Sequence, residues 1–370
     1  MDVLRSRLEG VVLSELARAH VPGCSLALVT AEGPVWSGGF GSTDAAGTRP
    51  ATADTVYRLF SGTKLFTAVA VLQFEERGLL SLSDLVERHV PGAEGARGIT
   101  LLHLLSHRSG LKESLRGLLG VSFPPDEPPG AAQALAAYPL VAARAPGERV
   151  EYRNVNYALL GEVIRRVSGV EYREYVLRHV LAPLGMDASF GLTPETRARA
   201  AVGTLERADP MRLVLRFLFP GLGERLYGRR VGRLVELREY DLATSAIGGL
   251  VGTMPDFGRF LVSQLSGGGA ALRPDTTARM QTQVAEGAAG IESRVGVALG
   301  WKVGSAGGVR FLNHEGGGAG FTSELRLYPD QGLGIALGMN AMRMPRTMRV
   351  AHRICEAVRA AAPSVVPATG

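Results

Sequence analysis

Lysine, cysteine and long apolar runs are all scarce in this 370-residue chain. The lysines are Lys64, Lys112 and Lys302, and the other 38 of the 41 basic residues are arginine. Two cysteines make no disulfide framework; the apolar neighbours of Cys24 and Cys355 favour buried thiols, and a disulfide between them is the alternative. No apolar run reaches 18 residues, which excludes a transmembrane helix by length.

Several function classes find no support in the composition. The net charge is +6 and the isoelectric point about 9.6, but the basic residues form no cluster of the kind that binds nucleic acid. His103 and His107 are spaced like two metal ligands on a helix, yet no third ligand accompanies them. We therefore expect no nucleic-acid partner, no metal and no cofactor.

The size and the first residues indicate a soluble globular protein. Hydrophobic residues make up 46% of the chain, enough for one large domain or two interlocked ones. The first five residues are not followed by the apolar stretch and small-residue cleavage site of a signal peptide, so we expect a cytoplasmic protein. A chain that began at the mature terminus of an exported protein would look the same.

The order of predicted elements is strands, then helices, then strands, with a helix at each end. Helices are predicted over 2–20, Lys64–Arg77, Leu80–His89, Leu101–Ser106, Ala131–Ala137, Asn156–Val167, Tyr172–Val180, Asp256–Leu265 and Arg349–Ala360. Strands are predicted at Cys24–Thr30, Pro34–Gly39, Val297–Lys302, Val309–Leu312, Ser323–Tyr328 and Leu333–Met339. This order predicts an α+β fold in which residues 1–60 and 245–370 share one antiparallel sheet. Residues 61–244 form a mainly helical domain, with the active site at the junction.

One apolar segment, residues 211–222, has no clear place in this pattern. Burial inside the fold, a lid over the cleft, a dimer surface and a patch that touches a membrane all fit its composition. The oligomeric state stays open for the same reason.

The first motif that carries chemistry is Ser61-Gly62-Thr63-Lys64. Ser61 stands where an apolar-periodic helix begins, and a spacing of three residues places Lys64 on the same face of that helix. Lysine can lose its proton when it is desolvated, whereas arginine cannot, so Lys64 suits the activation of a serine nucleophile. Serine is also a good helix N-cap, which is the structural alternative.

Two further motifs follow at long intervals. Tyr152 and Asn154 are separated by one residue: a cationic lysine nearby could lower the pKa of the tyrosine, and the asparagine amide could bind a substrate oxygen. His314-Glu315-Gly316 precedes a run of glycines, which lets a ligand lie close to the backbone of a strand. Taken alone, either motif is equally typical of an ordinary loop or strand.

In this order and at these separations, the three motifs resemble those of the penicillin-recognising serine hydrolases. The branch is that of class C β-lactamases, DD-peptidases, D-aminopeptidases and β-lactamase-like esterases. Flanking segments agree, namely residues 57–60, 99–111, 154–161, 246–251 and 300–301, and the resemblance covers about residues 20–340. It implies the β-lactamase/transpeptidase-like fold, an antiparallel sheet flanked by helices plus a mainly helical domain.

The resemblance also implies roles for individual residues. Ser61 would be the acylated nucleophile, and Lys64 and Tyr152 would share the proton transfers. Asn154 would contact the acyl side of the substrate. On the opposite wall the resemblance implies substrate-binding positions at His314, Gly316 and Gly317, with the backbone N–H groups of Gly317 and of the serine forming the oxyanion hole.

The third motif departs from the Lys-Thr-Gly of the β-lactamases. Lysine and hydroxyl are replaced by His314 and Glu315, so the groups that help to hold a substrate carboxylate are absent. If Glu315 faces the cleft it repels anions; if the strand turns it away it has no such effect. We therefore expect a serine hydrolase of small acyl esters, with a D-aminopeptidase or DD-peptidase type of amidase, or a β-lactamase, as alternatives. The alternatives from a different function class are a non-catalytic penicillin-binding scaffold and an acyltransferase.

Overall fold

The computed structural model describes residues 2–114, 120–123, 128–209, 212, 221–287 and 295–364. In this part of the chain the α-helices are α1 (Asp2–Ala19), α2 (Thr63–Glu76), α3 (Val86–His89), α4 (Leu101–Leu105), α5 (Ala131–Leu135), α6 (Asn154–Ser168), α7 (Tyr172–Val176), α8 (Pro194–Arg199), α9 (Leu222–Leu226), α10 (Ser245–Gly248), α11 (Met254–Leu265), α12 (Pro274–Gln281) and α13 (Arg346–Ala361). The strands are β1 (Gly23–Thr30), β2 (Gly33–Gly41), β3 (Val56–Arg58), β4 (Val121–Ser122), β5 (Ser189–Phe190), β6 (Thr204–Glu206), β7 (Tyr227–Val231), β8 (Leu234–Leu237), β9 (Asp241–Leu242), β10 (Leu250–Thr253), β11 (Ala285–Gly287), β12 (Val295–Val297), β13 (Lys302–Ala306), β14 (Val309–Gly318), β15 (Phe321–Tyr328) and β16 (Leu333–Met339).

Eight strands form one antiparallel sheet in the order β11-β12-β13-β14-β15-β16-β1-β2. Strand β1 joins the two parts of the chain, because Leu26 lies opposite Leu337 of β16 on one side and opposite Gly38 of β2 on the other. The predicted α+β fold with one sheet built from both ends of the chain is confirmed. The division into domains at residues 60 and 244 stays a prediction.

The sheet separates two hydrophobic cores. Successive side chains of a strand point to opposite faces, so Leu26 and Leu28 join the core formed with α1 and α13. Ala27 and Val29 join the larger core, which contains the buried sides of α2, α6 and α11. On the side of the larger core, β14 packs against the turn Phe60–Gly62 that leads into α2. This contact brings the second half of the chain to Ser61.

The predicted strand Val297–Lys302 is wrong, because it is divided between two strands. Strand β12 ends at Val297 and β13 begins at Lys302, and the connection between them reverses the chain. Gly300 lies in this connection with a φ of 90°, a left-handed conformation that glycine adopts without a steric cost. The apolar sequence conceals the turn.

The predicted helix Leu80–His89 is also shorter in the structure, where only Val86–His89 is helical. The preceding residues form a turn, because the Asp84 carboxylate accepts the Ser81 N–H at 2.9 Å. Leu85 then forms an antiparallel bridge with Thr100. Local side-chain hydrogen bonds of this kind compete with helix formation.

Both cysteines are buried free thiols, so the alternative of a disulfide between them is wrong. Burial raises the pKa of the Cys24 and Cys355 thiols, which makes both unreactive. No described helix combines the length and the apolar character that crossing a bilayer requires. Most of the apolar segment 211–222, including residues 213–220, lies outside the described residues, so its role stays open.

Candidate active site

Ser61 lies at the transition from a 3₁₀ turn to helix α2. The turn spans Phe60–Gly62, and Phe60 has a φ of 48°, a conformation that a bulky residue rarely adopts. Ser61 is half-buried, while the residues after it in α2 are buried. The strained backbone of Phe60 therefore presents the Ser61 hydroxyl at the start of a helix.

Lys64 is fully buried one helical turn further on. Its Nζ lies 3.1 Å from Ser61 Oγ and donates to the Ile247 carbonyl at 2.9 Å. Burial lowers the pKa of Lys64 well below its ordinary value; the Glu113 carboxylate opposes this shift and the Lys302 ammonium adds to it. A lowered pKa favours the neutral amine, whose lone pair can accept a proton from the serine hydroxyl.

Tyr152 lies in the loop before α6, and its ring faces Lys64 Nζ at 5.1 Å from the ring centroid. The hydroxyl is buried near Ser61 and makes no hydrogen bond of good geometry within the described residues. Burial raises the pKa of Tyr152; the Ser61 hydroxyl lowers it in part, and the Glu315 and Glu113 carboxylates raise it again. The expectation that a nearby lysine lowers the pKa of Tyr152 is wrong, because burial dominates and raises it.

Asn154 is the first residue of helix α6, and its amide already has a partner. Glu113 Oε2 accepts the Asn154 backbone N–H at 2.5 Å and its side-chain Nδ2 at 3.2 Å. The carboxylate thus lies at the positive end of the α6 dipole, where an anion is stabilised. Glu113 adds one negative charge to the surroundings of Lys64 and Tyr152.

His314 is buried on strand β14 and belongs to the opposite wall. Its Nδ1 lies 2.7 Å from the Gly300 carbonyl oxygen and donates to it, so Nε2 carries the lone pair. Burial lowers the pKa of His314 to about 3, and the Lys302 and Lys64 side chains add to the shift. The imidazole is neutral, and its ring centroid lies 6.2 Å from that of Tyr152.

The glycines after His314 permit close backbone contacts. A Cβ at Gly316 would lie 2.0 Å from the carbonyl oxygen of Leu59, two residues before Ser61. A Cβ at Gly317 would overlap the side chains of Met342 and Met348. Gly316 therefore lets β14 approach the backbone that carries the serine, and the oxyanion role of the Gly317 N–H stays a prediction.

Glu315 is held in an ion pair. Its Oε2 lies 2.6 Å from Nζ of Lys302, whose ammonium is 5.5 Å from the centroid of the Tyr152 ring. Burial alone would raise the pKa of Glu315, but the Lys302 ammonium lowers it to about 2. The sequence left open whether Glu315 faces the cleft as a free charge or turns away from it. In the structure its charge is compensated by a lysine from the neighbouring strand.

A family model described as Beta-lactamase matches residues 8–358. The chain belongs to the Beta-lactamase family. Its members are serine hydrolases, a class that the arrangement of Ser61, Lys64 and Tyr152 fits.

Known proteins resemble this Beta-lactamase family member over different lengths. Protein flp of Staphylococcus aureus (strain MW2) is 31% identical over 188 residues, which are 49% of this chain and 37% of that protein. The octameric penicillin-binding protein homologue from Pyrococcus abyssi matches with a TM-score of 0.77 and 27% identity over 97% of this chain and 78% of that one. The D-amino acid amidase from Ochrobactrum anthropi SV3 shares the fold, with a TM-score of 0.82 and 22% identity over 98% and 99% of the two chains. The chain spans less than half the length of the curated relatives that it matches.

The structure adds three residues to this family member's site that the motifs did not point to: His107, Glu113 and Lys302. The His107 ring lies 4.4 Å from that of Tyr152, and its Nδ1 accepts the Arg153 N–H at 3.2 Å. Burial lowers the pKa of His107 well below its ordinary value, so this ring is neutral too. The scarcity of lysine was the one signal in the sequence that could have found Lys302.

The rings of His103 and His107 make separate contacts in the described structure. The ring of His103 turns back on its own helix, where Nδ1 accepts the Thr100 N–H at 3.2 Å. His107 packs on Tyr152 instead. The described ranges contain no group of three or more potential metal ligands from histidine, cysteine, aspartate and glutamate.

Substitution of Gly316 by alanine is expected to damage both stability and catalysis. The added Cβ would collide with the Leu59 carbonyl and with Ser323 Oγ, which donates to that carbonyl at 2.6 Å. Overpacking of this kind costs about 1–3 kcal/mol, and displacement of the nucleophile by about 1 Å lowers kcat by up to about 10²-fold. Chemical denaturation and ester kinetics measure the two effects.

Gly10→Ala is the matched control for this substitution. Gly10 lies inside α1, and a Cβ there meets nothing within 4 Å. Alanine should raise the free energy of unfolding by about 0.5–1 kcal/mol and leave kcat unchanged. If Gly316→Ala had the same free energy of unfolding and the same kcat as Gly10→Ala, the contact assigned to Gly316 would be contradicted.

Proposed function

We propose that this protein hydrolyses small, uncharged acyl esters through an acyl-enzyme at Ser61. The observation that carries the proposal is the 3.1 Å separation between Ser61 Oγ and the Nζ of a fully buried Lys64. A neutral amine at this distance can take the hydroxyl proton as the oxygen attacks. No metal or cofactor is needed for this step.

Acylation requires one proton to move from the nucleophile to the leaving group. Lys64 takes the proton of Ser61 Oγ while Oγ bonds to the carbonyl carbon. As the C–O bond of the ester breaks, Tyr152 donates its phenolic proton to the departing alcohol oxygen and is reprotonated by Lys64. A water molecule then attacks the acyl-enzyme, and the same groups return the proton to Ser61 Oγ.

The remaining candidate residues bind and orient the substrate. The backbone N–H groups of Ser61 and Gly317 are assigned to the developing oxyanion, which preorganised donors stabilise. Asn154 is assigned to the acyl side, with its amide held in place by Glu113. His314, a neutral ring on β14, lines the opposite wall beside Tyr152.

The charges around the serine favour esters without a carboxylate. His314 is neutral, burial lowers the pKa of Lys64 and so favours its neutral form, and the Lys302 ammonium is paired with Glu315. Because the raised pKa of Tyr152 makes it a weak acid, leaving groups that need little help from a proton are preferred. Alcohols and phenols meet this requirement better than amines do.

A second candidate is an amidase that acts on amides of amino acids with a free amino group. Glu113 supports it, since this carboxylate beside Asn154 would pair with a substrate ammonium. The fold shared with the Ochrobactrum anthropi D-amino acid amidase is in keeping with this candidate. The amidase is distinguished from the esterase by the effect of Glu113 on substrates that carry an ammonium group.

One preparation should be assayed with 4-nitrophenyl butyrate, with D- and L-phenylalanine amide and with nitrocefin. Ester hydrolysis at a kcat/KM well above that of the amides supports the esterase. D-amide hydrolysis that dominates, and that Glu113→Gln weakens mainly through KM, supports the amidase instead. Nitrocefin as the preferred substrate would contradict both proposals. A scaffold would turn over none of the substrates, and an acyltransferase would need an added alcohol or amine acceptor.

A further inference from the structure

Lys302 reaches the same ring as the lysine of the first motif. Its Nζ lies 5.5 Å from the centroid of the Tyr152 ring, and Lys64 Nζ lies 5.1 Å from it. Two of the three lysines in the chain thus surround one tyrosine. Lys302 is the first residue of β13, a strand that none of the three motifs includes.

The partner of Lys302 is determined by the register of the sheet. Lys302 lies opposite Asn313 of β14, and Glu315 is two residues further along β14, on the same face as Asn313. The two charged groups meet at 2.6 Å, with 14% of the lysine side chain and 15% of the glutamate side chain exposed. The pair is therefore mostly desolvated, yet part of it remains accessible from solvent.

The charged groups next to the Lys302–Glu315 ion pair have partners of their own and could not pair with Lys302 in place of Glu315. Glu324 lies opposite Glu315 in the sheet, but its carboxylate is bound by Arg326 and by Asn313 Nδ2. Arg326 also contacts Glu356 of α13. Without Glu315, the Lys302 ammonium would be an unpaired cation at the edge of the cleft.

We propose that Glu315 makes the enzyme prefer neutral over anionic substrates, because it pairs with the Lys302 ammonium that would otherwise bind a substrate carboxylate. This inference rests on the proposed function and specifies its substrate class. Because Asn154 is assigned to the acyl side, a carboxylate that reaches Lys302 on the opposite wall would belong to the leaving group, and the carboxylate of Glu315 fills that position. Esters with a neutral leaving group avoid this competition, and esters with an acidic leaving group encounter both the paired cation and the negative charge of Glu315.

The test compares 4-nitrophenyl butyrate with 3-carboxy-4-nitrophenyl butyrate, which adds a carboxylate to the leaving group. The wild-type enzyme should prefer the neutral ester. In Glu315→Gln, the ratio of kcat/KM for the acidic ester to that for the neutral ester should rise about tenfold or more. Glu315→Thr serves as a second variant with the same expectation, and thermal unfolding establishes that each variant is folded.

Two controls separate the ion pair from a general change of charge. The double variant Glu315→Gln/Lys302→Met removes the cation as well, and its ratio should return toward the wild-type value. Glu9→Gln removes one negative charge from an exposed position on α1, on the other face of the sheet, and should leave the ratio unchanged.

The outcomes distinguish this inference from the proposed function. A wild-type enzyme that hydrolyses both esters equally well, or folded Glu315 variants with an unchanged ratio, would overturn the assignment of Glu315 alone. A gain that persists in the double variant would overturn it too. Absence of hydrolysis of either ester by the wild-type enzyme would overturn the esterase proposal, and this inference with it.

Discussion

Ser61→Ala is expected to lower kcat for ester hydrolysis by at least about 10³-fold. The substitution removes the hydroxyl oxygen that lies 3.1 Å from Lys64 Nζ and that is assigned as the nucleophile. Loss of a catalytic serine typically costs between about 10³- and 10⁶-fold, because the rest of the site cannot act without it. Steady-state kinetics with 4-nitrophenyl butyrate measures the loss.

Ser83→Ala is the matched control, since Ser83 is exposed and its hydroxyl contacts only Ser81 among the described residues. It should retain the wild-type kcat. A Ser61→Ala variant that keeps more than a tenth of the wild-type activity would move the nucleophile to another residue.

Lys64→Arg is expected to lower kcat by about 10²- to 10⁴-fold, although it keeps a basic side chain at the same position. Arginine stays protonated at every working pH and cannot accept the serine proton. The larger guanidinium would also carry a charge into a site where the native group is fully buried. Single-turnover kinetics should show that acylation is the step that slows.

Lys64→Met gives a readout that does not depend on activity. Burial holds the pKa of Lys64 in the folded protein below its ordinary value near 10.5. At a pH between the folded and the unfolded pKa, the lysine is protonated in the unfolded chain but not in the folded protein, so the unfolded chain binds one more proton. Stability of the wild type must therefore rise with pH relative to Lys64→Met, by up to about 1.4 kcal/mol for each pH unit. The rise ends near the unfolded pKa.

Urea unfolding at about pH 8 and about pH 10 tests this linkage. A difference between wild type and Lys64→Met that does not change with pH would mean that Lys64 is charged in the folded protein. The role of a neutral base would then be wrong, whatever the effect of the substitution on kcat.

The parts of the site that are local in sequence could be predicted. Ser61 and Lys64 lie one helical turn apart, and their contact follows from helix geometry alone. Tyr152 and His314 are distant from Ser61 and Lys64 in sequence. They could be assigned to the same site only from the order and separation of the three motifs. The glycine pattern predicted that a ligand could lie close to this strand, and it gave no indication that the Leu59 carbonyl would lie against Gly316.

The parts that depend on strand register or long loops could not be predicted. Lys302 meets Glu315 because β13 pairs with β14, and the turn at Gly300 that starts β13 is concealed in an apolar run. Glu113 reaches Asn154 across 41 residues of sequence. The raised pKa of Tyr152 reflects burial, which no spacing of residues reveals.

Acylation of Ser61 is measured most directly by the mass of the protein after reaction with a fluorophosphonate. We expect one covalent adduct per chain in the wild type, located on Ser61 by peptide mapping. We expect no adduct in Ser61→Ala and the wild-type adduct in Ser83→Ala. An unmodified wild-type chain, or an adduct on a residue other than Ser61, would show that Ser61 is not the nucleophile.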